Sequence, residues 1–522
     1  MQAMAQDFEN ATTAVKNMGV GWNLGNTLDA NDATKTWTTT DQHETCWGQP
    51  VTKPELLKMM KEAGFGAIRV PVTWYQEMDD NGKVNEAWMK RVKEVVDYVI
   101  NNGMYCILNV HHDTGADGGS FKSWIKASTD NYNSNKDKYE YLWKQIAETF
   151  KDYDQHLLFE AYNEMLNEKN TWNEPSNKTD GYKAVNNYAN IFVTTVRATG
   201  GNNTLRNLVV NTYSSSNTTN AMKALELPEE SGHIIFQLHS YPNWQSESNA
   251  KSLVDNLIST IKTSLSNKAP VIIGEYATFC EWPSKIDYYV TNRKVALYAM
   301  DYFIKKTKVA GIGTFYWMGL SDGDSRSLPA FNQADLAETL IKAYHGSTDG
   351  YKYPVHDTSK GTVIFEGEKQ LEWGQAINFP ANYFTDLDNS TFVEVTYLQK
   401  YDLFTGDDAY GMFQFWYNDW SEKINFIVDE NTYTSEFVPA DHYGTGSGTE
   451  HTTDFYFDTA TFKKFKSKGM LFQGHGILVK KAMLTKSPTA DIMSISKEDN
   501  SNHDSIYNLQ GQRISKPLKV YI

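Results

Sequence analysis

The sequence predicts an α/β protein in which a (β/α)8 barrel is followed by an antiparallel β-sandwich. From Gly19 to about Tyr344, apolar runs of strand length alternate with amphipathic stretches about eight times, the repeat of a (β/α)8 barrel. From Gly361 to about Leu484, short runs alternate apolar and polar residues between Gly, Asp and Asn turns, which is typical of a sandwich. We therefore expect a barrel over 1–348, a sandwich over 349–486, and a linker with a terminal segment over 487–522.

Each predicted barrel strand is a short apolar run followed by a polar loop and an amphipathic stretch. Runs of this kind indicate parallel strands buried on both faces. The loops after them are rich in Asn, Asp, Ser, Thr and Trp, and such loops form the catalytic face of a barrel. The predicted strands are Gly19–Leu24, Ala67–Val72, Tyr105–His111, Leu157–Asn163, Asn207–Thr212, His233–His239, Pro270–Glu275 and Gly311–Trp317, and the helices include Lys53–Ala63, Glu86–Asn101, Lys138–Phe150, Tyr182–Ala198, Val254–Ser264 and Arg293–Lys306.

The predicted sandwich strands have a period of two, which places their apolar residues on one face. The run Trp416–Trp420 fits either a glycan-binding strip or plain sandwich core, and the pattern does not choose between them. The strands are Thr362–Phe365, Phe392–Tyr397, Met412–Trp416, Ile424–Val428, Thr453–Phe457 and Met470–Val479.

The composition of the 522-residue chain limits the partners it can have. A net charge of -15 argues against nucleic-acid binding, which needs a basic face. No apolar run reaches the length of a membrane span. The chain has 14 Trp and 31 Tyr, and aromatic rings are the natural surface on which the C–H faces of neutral polysaccharides stack.

The sequence indicates neither a metal site nor a cofactor. Cys46, Cys106 and Cys280 have no paired spacing, so neither a disulfide scaffold nor a zinc site is expected. The triplet His111–Asp113 suggests metal ligands, but neighbouring side chains on a strand point to opposite faces, so its two histidines could not bind one ion. We expect no metal and no cofactor.

Two apolar runs, Leu157–Glu164 and Val271–Glu275, each end on a glutamate. Buried strands rarely carry an unpaired carboxylate, and the carboxyl ends of barrel strands form the active face. Hydrolysis of a glycosidic bond needs one carboxylic acid to protonate the leaving oxygen and one carboxylate to attack the anomeric carbon. A salt bridge at the strand end would explain either glutamate alone, whereas the two together favour a glycosidase.

Three further polar residues lie in apolar strands. Arg69 is a charge inside the run Ile68–Pro71, which is costly unless it meets a carboxylate. His239 and Tyr241 are two residues apart, so the imidazole and the phenol project from the same face. These side chains are candidates to support the two glutamates.

Six runs together resemble glycoside hydrolase family 5, in the order of that family and on successive strands. The resemblance spans about Gly19 to Tyr344, and the first run is similar to subfamily 4 of the family, the endo-β-1,4-glucanases. The runs are Gly21–Asp29, Ile68–Pro71, Asn109–His112, Asn163–Glu164, His239–Tyr241 and Gly274–Tyr276.

The resemblance implies a retaining endo-β-1,4-glucanase that acts on a β-1,4-linked polysaccharide. It implies that Glu164 is the acid/base, Glu275 the nucleophile, and Asn163 the partner of the substrate's 2-hydroxyl. Met165 stands where the family usually has proline, which affects the local backbone and carries no chemistry. The resemblance also implies that Arg69 and Tyr241 hold Glu275 ionised and that His111 and His239 orient Glu164.

The expected surroundings of the two glutamates favour the same roles, acid/base for Glu164 and nucleophile for Glu275. A guanidinium and a phenol beside Glu275 should keep its pKa low, so that it stays a carboxylate fit to attack. Glu164 has no cation in its own motif. Burial and the charge of Glu275 should therefore keep it protonated near neutral pH.

We expect several side chains on the catalytic face to contact the sugar. Trp317 ends the last strand and, by the resemblance, stacks on the sugar in the subsite before the cut. The expected substrate contacts are Asn23, His112, Trp47, Trp244 and Trp317. The other tryptophans of loops after strands, Trp37, Trp74, Trp124, Trp172 and Trp282, either line the cleft or pack their loops, while Trp88 and Trp143 are expected in the core.

Alternatives remain within and outside this class. The barrel motifs are shared by enzymes that act on xyloglucan, mixed-linkage β-glucan and mannan. A glycan-binding protein without activity and a metal-dependent barrel hydrolase are the other two interpretations, and the presence of Glu164, Glu275 and Arg69 argues against the former.

We expect a secreted monomer that acts outside the cell or at its surface. The chain opens Met1–Met4 without an apolar signal core, which fits either a cytoplasmic protein or a removed signal. The segment Ile506–Ile522 resembles the end of the outer-membrane sorting segments of secreted Bacteroidetes proteins, which favours export.

Overall fold

The computed structural model describes residues 8–242, 244, 246–278, 293–355, 361–385, 387, 391–399, 411–428, 431–433 and 450–486. These residues form two compact units, with the boundary between Pro354 and Val355. Cys280 and Trp282, named above, lie outside the described residues. Among the described residues, no helix combines the length and the apolar character needed to cross a membrane.

The first unit is a closed barrel of eight parallel strands, which confirms the predicted fold class. Each strand pairs with the next along the chain, and β1 closes the barrel on β8, with Val20 opposite Thr314. The strands are β1 (Val20–Asn23), β2 (Ala67–Val70), β3 (Tyr105–Asn109), β4 (Leu157–Glu160), β5 (Leu208–Asn211), β6 (Ile234–His239), β7 (Val271–Tyr276) and β8 (Gly313–Tyr316).

Helices follow the barrel strands, and several begin earlier than the sequence pattern predicts. The apolar periodicity marks only the buried part of each helix, whereas a polar first turn is fixed by its cap. Ser128, Asn177 and Ser246 each accept a hydrogen bond from a backbone N–H three residues later. The helices are α1 (Ala11–Asn17), α2 (Thr40–Glu44), α3 (Pro54–Glu62), α4 (Glu86–Asn101), α5 (Thr129–Thr149), α6 (Lys178–Ala198), α7 (Thr219–Ala224), α8 (Glu247–Ser264), α9 (Arg293–Ala310), α10 (Asp324–Ser327) and α11 (Ala334–His345).

Six of the predicted barrel strands extend past their observed ends, and two of these differences bear on the glutamate region. β3 ends at Asn109 and β4 at Glu160, so His111 and Glu164 lie in the loops that follow. This places both side chains on the carboxyl face of the barrel, where loops rather than strands position them.

The interior of the barrel has an apolar layer below and a polar layer above it. Ile107 and Leu158 belong to the apolar layer, and Asn109 and Glu160, two residues further on, face the same way because strand side chains alternate. Gly274 leaves room for a neighbour in this upper layer, since a Cβ there would stand 2.4 Å from the side chain of Gln237. The polar layer comprises Asn23, Arg69, Asn109, Glu160, Asn211 and Gln237, all fully buried.

The second unit consists of antiparallel sheets around an aromatic core. One sheet has the order β15-β11-β17-β9, a second β10-β16-β12, and a short pair is formed by β13 and β14. The strands are β9 (Thr362–Leu371), β10 (Ala376–Phe379), β11 (Thr391–Gln399), β12 (Met412–Tyr417), β13 (Phe426–Val428), β14 (Asn431–Tyr433), β15 (Glu450–Phe455), β16 (Met470–His475) and β17 (Ile477–Lys486), and α12 (Thr459–Lys468) precedes β16.

The predicted strand Met470–Val479 is wrong as a single element. Gly476 adopts a φ of 62°, which favours glycine, and the chain turns there from β16 into β17 of the other sheet. Helix α12 was not predicted, because its apolar residues, Phe462 and Phe465, are too few to mark a helix by periodicity.

The two tryptophans of the run Trp416–Trp420 lie outside the sandwich core. Phe415 and Tyr417 belong to the core, and Trp416 between them therefore projects from the other face of β12. Trp420 is 43% exposed, and its ring centroid lies 5.6 Å from that of Trp416. Plain core packing does not describe these two rings.

Candidate active site

Arg69 occupies the centre of the polar layer and is fully buried. Its Nη1 donates to Glu275 Oε1 at 2.8 Å, and its Nη2 donates to Asn163 Oδ1 at 2.8 Å. Its Nε and Nη2 also donate to the carboxylate of Glu160, at 2.6 and 2.8 Å. Strand β2 therefore delivers a cation that connects residues from β4, β7 and the loop after β4.

Glu275 lies on β7 with both carboxyl oxygens held. Arg69 binds Oε1, and the hydroxyl of Tyr241 donates to Oε2 at 2.7 Å. Burial, and then the charge of Glu275, raise the pKa of Tyr241 well above its usual value, so the phenol keeps its proton and remains a donor. The predicted contacts of Glu275 are present.

Glu164 approaches Glu275 across the imidazole of His239. His239 Nδ1 lies 2.8 Å from Glu164 Oε1 and 3.5 Å from Glu275 Oε2. One oxygen of each carboxyl and one nitrogen of His239 all lie within 4.8 Å of one another. Burial, together with the charge of Arg69, lowers the pKa of His239 well below its usual value, so the ring is neutral.

The two glutamates differ in how strongly they hold a proton. Burial raises the pKa of Glu164 well above its usual value, and the charge of Glu275 raises it further. Burial also raises the pKa of Glu275, while Arg69 and Tyr241 act to lower it. The prediction of a low pKa for Glu275 is wrong in direction, because removal of the carboxylate from water outweighs these two neighbours. The pKa of Glu164 is still raised further than that of Glu275, because no neighbour of Glu164 offsets the effect of burial as fully.

His111 does not contact Glu164, contrary to the prediction. Its Nδ1 lies 3.0 Å from Asn109 Nδ2, and its Nε2 lies 3.3 Å from Asn163 Nδ2. The ring stacks on Trp317, with 5.8 Å between centroids and 4° between planes. His111 therefore packs beside the residue that precedes Glu164, and His239 alone of the two histidines contacts the acid.

Two predicted substrate contacts are instead part of the interior. Asn23 is fully buried, donates to Gly274 O at 2.9 Å and accepts from Arg69 Nη1 at 2.9 Å, so it helps to fix the arginine. Trp244 is 1% exposed and packs near Phe303 in the core. Both assignments are wrong, because neither side chain reaches the surface of the cleft.

The other predicted contacts lie close to one another. Trp47 is half-buried, its Nε1 donates to Asn31 O at 2.7 Å, and its ring centroid lies 5.3 Å from that of His112. Trp317 is 5% exposed. Of the remaining loop tryptophans, Trp37, Trp124 and Trp172 are half-buried, whereas Trp74 is fully buried, as are the helical Trp88 and Trp143.

The prediction that strand alternation keeps His111 and His112 from binding one ion is wrong. β3 has already ended, so strand alternation does not apply, and the two rings lie 4.5 Å apart. Potential ligand atoms of these histidines and of Asp29 lie within 4.8 Å of one another. Asp29 Oδ2 and His112 Nε2 are buried without a hydrogen-bond partner and lie 3.8 Å apart, so this cluster could receive a cation or a hydroxyl group.

The loop after β4, which carries Glu164, is held by hydrogen bonds from the loop after β5. Ser215 Oγ donates to Asn163 O at 3.0 Å, and Ser214 N donates to Met165 O at 3.1 Å. Both serines have positive φ, 50° and 51°, a strained conformation that non-glycine residues adopt where the surroundings impose it. This support involves Met165 through its backbone, where the related family usually has proline.

Glu160, Asn109 and Asn211 were not predicted as site residues. Glu160 accepts hydrogen bonds from Arg69, from Asn109 Nδ2 at 3.2 Å and from Asn211 Nδ2 at 3.1 Å. The period of two within each strand could have found them, since each polar residue follows an apolar one by two positions. Within the run Leu157–Glu164, the prediction assigned roles to Asn163 and Glu164 and none to Glu160.

The comparisons with known proteins agree with this geometry. A family profile described as cellulase (glycosyl hydrolase family 5) matches residues 31–322. The chain is similar to Endoglucanase A of Clostridium longisporum, with 34% identity over 368 residues, 66% of this chain and 68% of the relative. It is also similar to Endoglucanase B of Neocallimastix patriciarum, with 34% identity over 358 residues, 64% of this chain and 71% of the relative.

Solved structures extend the similarity. A broad-specificity endoglucanase of subfamily 4 from an uncultured bacterium is 58% identical, and the match covers 65% of this chain and 98% of that one, with a TM-score of 0.63. A family 5 enzyme of Prevotella bryantii B14, solved in complex with a xyloglucan tetradecasaccharide, is 42% identical, with coverage of 65% and 100% and a TM-score of 0.59.

Proposed function

The chain belongs to glycosyl hydrolase family 5, the cellulase family, and is an endo-β-1,4-glucanase; on this premise we propose that Glu164 is its acid/base and Glu275 its nucleophile. The observation that carries the proposal is the short distance between the carboxyl groups, an oxygen of one lying within 4.8 Å of an oxygen of the other. Retaining glycosidases hold their carboxyl groups about 5–5.5 Å apart, while inverting enzymes need about 6.5–9.5 Å to admit a water.

In the first step, the carboxylate of Glu275 attacks the anomeric carbon, and the glycosidic C–O bond breaks. Glu164 gives its proton to the leaving oxygen, so the departing chain leaves as an alcohol and a glycosyl ester forms on Glu275. Arg69 and Tyr241 fix the carboxylate before attack. Because they also offset part of its burial, Glu275 loses its proton at a lower pH than Glu164 does.

In the second step, Glu164, now a carboxylate, removes a proton from a water that attacks the same carbon and releases Glu275. His239 contacts Glu164 at 2.8 Å and is neutral, so it orients the glutamate without fixing its charge. Two displacements on one carbon return the β configuration.

We propose that the sugar before the cut is bound by Asn163, His112, Trp47 and Trp317. Asn163 Oδ1 is held by Arg69 at 2.8 Å and its Nδ2 lies 3.3 Å from His111 Nε2, so the second hydrogen of the amide can meet a sugar 2-hydroxyl. His112 Nε2 and Asp29 Oδ2 have no partner, and a hydroxyl group between them would give each a hydrogen bond.

We propose that the substrates are β-1,4-glucan backbones, with and without side branches. A relative that was solved with a xyloglucan oligosaccharide favours branched substrates, and a relative that is a broad-specificity endoglucanase favours more than one substrate. A panel of carboxymethyl cellulose, xyloglucan, mixed-linkage β-glucan and mannan, with product lengths followed in time, tests the proposal. We expect internal cutting of the three glucans and none of mannan. Products that shorten only from a chain end would contradict an endo mode of action.

We further propose that Trp416 and Trp420 form a glycan-binding strip on the sandwich. Trp416 Nε1 donates to Gln414 Oε1 at 3.2 Å and to Gln473 Oε1 at 3.0 Å, which holds the indole in a fixed orientation. Fixed aromatic rings beside amide groups suit stacking of sugar rings. A second contact on a long chain would raise the effective concentration of substrate at the barrel.

We also propose that the enzyme acts outside the cell, because its polymeric substrate cannot enter. Fractionation of the native source, with antibody detection in medium, envelope and cytoplasm, tests this. Enzyme confined to the cytoplasm would contradict it.

A further inference from the structure

Glu160 is a fully enclosed ionisable group close to the proposed catalytic pair. It ends β4, is fully buried, and pairs in register with Asn109 of β3. Its Oε1 accepts from Arg69 Nη2, Asn109 and Asn211, and its Oε2 accepts from Arg69 Nε. Neither displacement step uses this carboxylate, although burial of a charged group is costly.

The guanidinium of Arg69 has no hydrogen-bond donor left over. Its five N–H groups form a rigid planar fork. Two of them donate to Glu160, and one each donates to Asn23, Glu275 and Asn163. The two parallel bonds to Glu160 set the plane of the fork, and the plane determines where the remaining donors point.

Glu160 also competes for the charge of Arg69. One guanidinium faces two carboxylates, so Glu275 does not receive its full stabilisation. The charge of Glu160 accordingly raises the pKa of Glu164 and that of Glu275, in each case beyond the effect of burial.

We propose that Glu160 is a positioning residue of the catalytic centre, which orients Arg69 toward Glu275 and Asn163 and shares the charge of the guanidinium with the nucleophile. The proposal rests on the catalytic roles assigned above to Glu164 and Glu275. Glu160 acts through Arg69 and does not touch the substrate.

Glu160→Gln tests the effect of charge, because it keeps the size of the side chain and removes the negative charge. With the competing charge gone, Glu275 and Glu164 should both lose their protons more easily. Both limbs of the pH profile of kcat/KM on a soluble cello-oligosaccharide should therefore move to lower pH, by about 0.5–1 unit. We expect kcat to fall on the order of 10- to 100-fold, since one bond that aligns the guanidinium is lost.

Glu44→Gln is the matched control. Glu44 is a buried carboxylate that accepts from Arg91 Nε at 2.8 Å and from Arg91 Nη2 at 3.1 Å, outside the polar layer. Its loss should lower the melting temperature and leave both limbs in place. A folded Glu160→Gln enzyme whose limbs coincide with those of the wild type would overturn the proposal.

Glu160→Asp separates orientation from charge. The charge remains, but the shorter side chain draws the guanidinium away from Glu275, so kcat should fall and the acidic limb should move to higher pH, opposite to its shift in Glu160→Gln. This variant decides the matter if Glu160→Gln does not fold. Unchanged kcat in Glu160→Asp, or failure of both variants to fold, would show that Glu160 only supports the barrel.

Failure of the catalytic roles would be visible separately. If Glu275 is not the nucleophile, Glu275→Ala keeps turning over substrate, whatever the Glu160 variants do.

Discussion

The polar layer of the barrel and the core of the sandwich are built on opposite principles. In the barrel, Arg69, Glu160, Glu164 and Glu275 are buried within hydrogen-bonding distance of one another or of a shared partner. In the described part of the sandwich, no Asp, Glu, Lys or Arg side chain is buried, and the centre is a cluster of rings around Phe415. Buried charges destabilise a protein unless they are paired, whereas packed aromatic rings stabilise it.

The difference indicates that the polar layer of the barrel serves the reaction, whereas the core of the sandwich serves stability. A charge cluster that contributes little to stability is expected where proton affinities must be set, and the barrel has one at the carboxyl ends of its strands. The sandwich has a core suited to stability, and its candidate for function, the strip of Trp416 and Trp420, lies on its surface. Changes in the two regions should therefore have different kinds of effect.

The largest effect is expected from Glu275, the proposed nucleophile. Glu275→Ala should lower turnover on the order of 10⁴-fold or more for good and poor leaving groups alike, because no glycosyl-enzyme can form. Glu164→Ala should still form this intermediate from an aryl glycoside with a good leaving group, and added azide should then speed its breakdown. Burst kinetics with both substrate types distinguish the variants, and identical behaviour would refute the separate roles.

The next effect concerns stability in the sandwich. Phe415 is fully buried, and its ring centroid lies 5.0–5.2 Å from those of Phe426, Phe455, Phe457 and Phe472. Phe415→Ala should lower the free energy of unfolding of the sandwich by about 3–5 kcal/mol, since it leaves a cavity. Calorimetry should show an earlier transition while turnover of short oligosaccharides persists. Loss of that turnover in parallel would mean that the two units do not function separately.

A smaller effect is expected on the pH profile when the cation of the polar layer is removed. Arg69 lowers the pKa of both Glu275 and Glu164, so Arg69→Met should raise both. The acidic limb, below which Glu275 is protonated and inactive, should move upward by about 1 unit, and the basic limb should follow. Arg91→Met removes a buried arginine of another ion pair and should move neither limb. If the acidic limb of the folded Arg69→Met enzyme does not move, the claim that Arg69 lowers the pKa of Glu275 is contradicted.

The smallest effect is expected at the surface strip. Trp420→Ala in the full chain should weaken binding to insoluble cellulose about 3- to 10-fold, the value of one lost ring stack. Its melting temperature and its rate on soluble oligosaccharides should not change. Trp373, another tryptophan of the sandwich, is 49% exposed and lies outside the strip, so Trp373→Ala serves as control. Equal binding by both variants would leave the strip without a function.

Much of the barrel could be predicted because its signals are local. Each strand is a continuous apolar run, and the side of the barrel on which Glu164 and Glu275 lie follows from their position after such runs. The ends of the strands could not be predicted as closely. β4 ends at Glu160, and the loop from there to Glu164 is shaped by Ser214 and Ser215, which follow β5.

What could not be predicted depends on contacts distant in sequence. Burial of Asn23 and Trp244 is decided by neighbours from other strands and helices, so a polar or aromatic residue after a strand need not face the cleft. The raised pKa of Glu275 has the same origin, because the sequence names its partners but does not give the depth at which they lie. The hydrogen bonds of Glu160 could not be predicted, although the period of two marks the residue itself, because its partners Arg69, Asn109 and Asn211 come from three other strands.

The central claim is that Glu164 and Glu275 act as a retaining pair, and the configuration of the first product tests it most directly. Proton NMR during hydrolysis of a β-1,4-linked cello-oligosaccharide resolves the anomers before mutarotation equilibrates them. We expect the β anomer to accumulate first, because two displacements on one carbon preserve its configuration. Initial accumulation of the α anomer would mean a single displacement by water and would contradict the role of Glu275 as nucleophile.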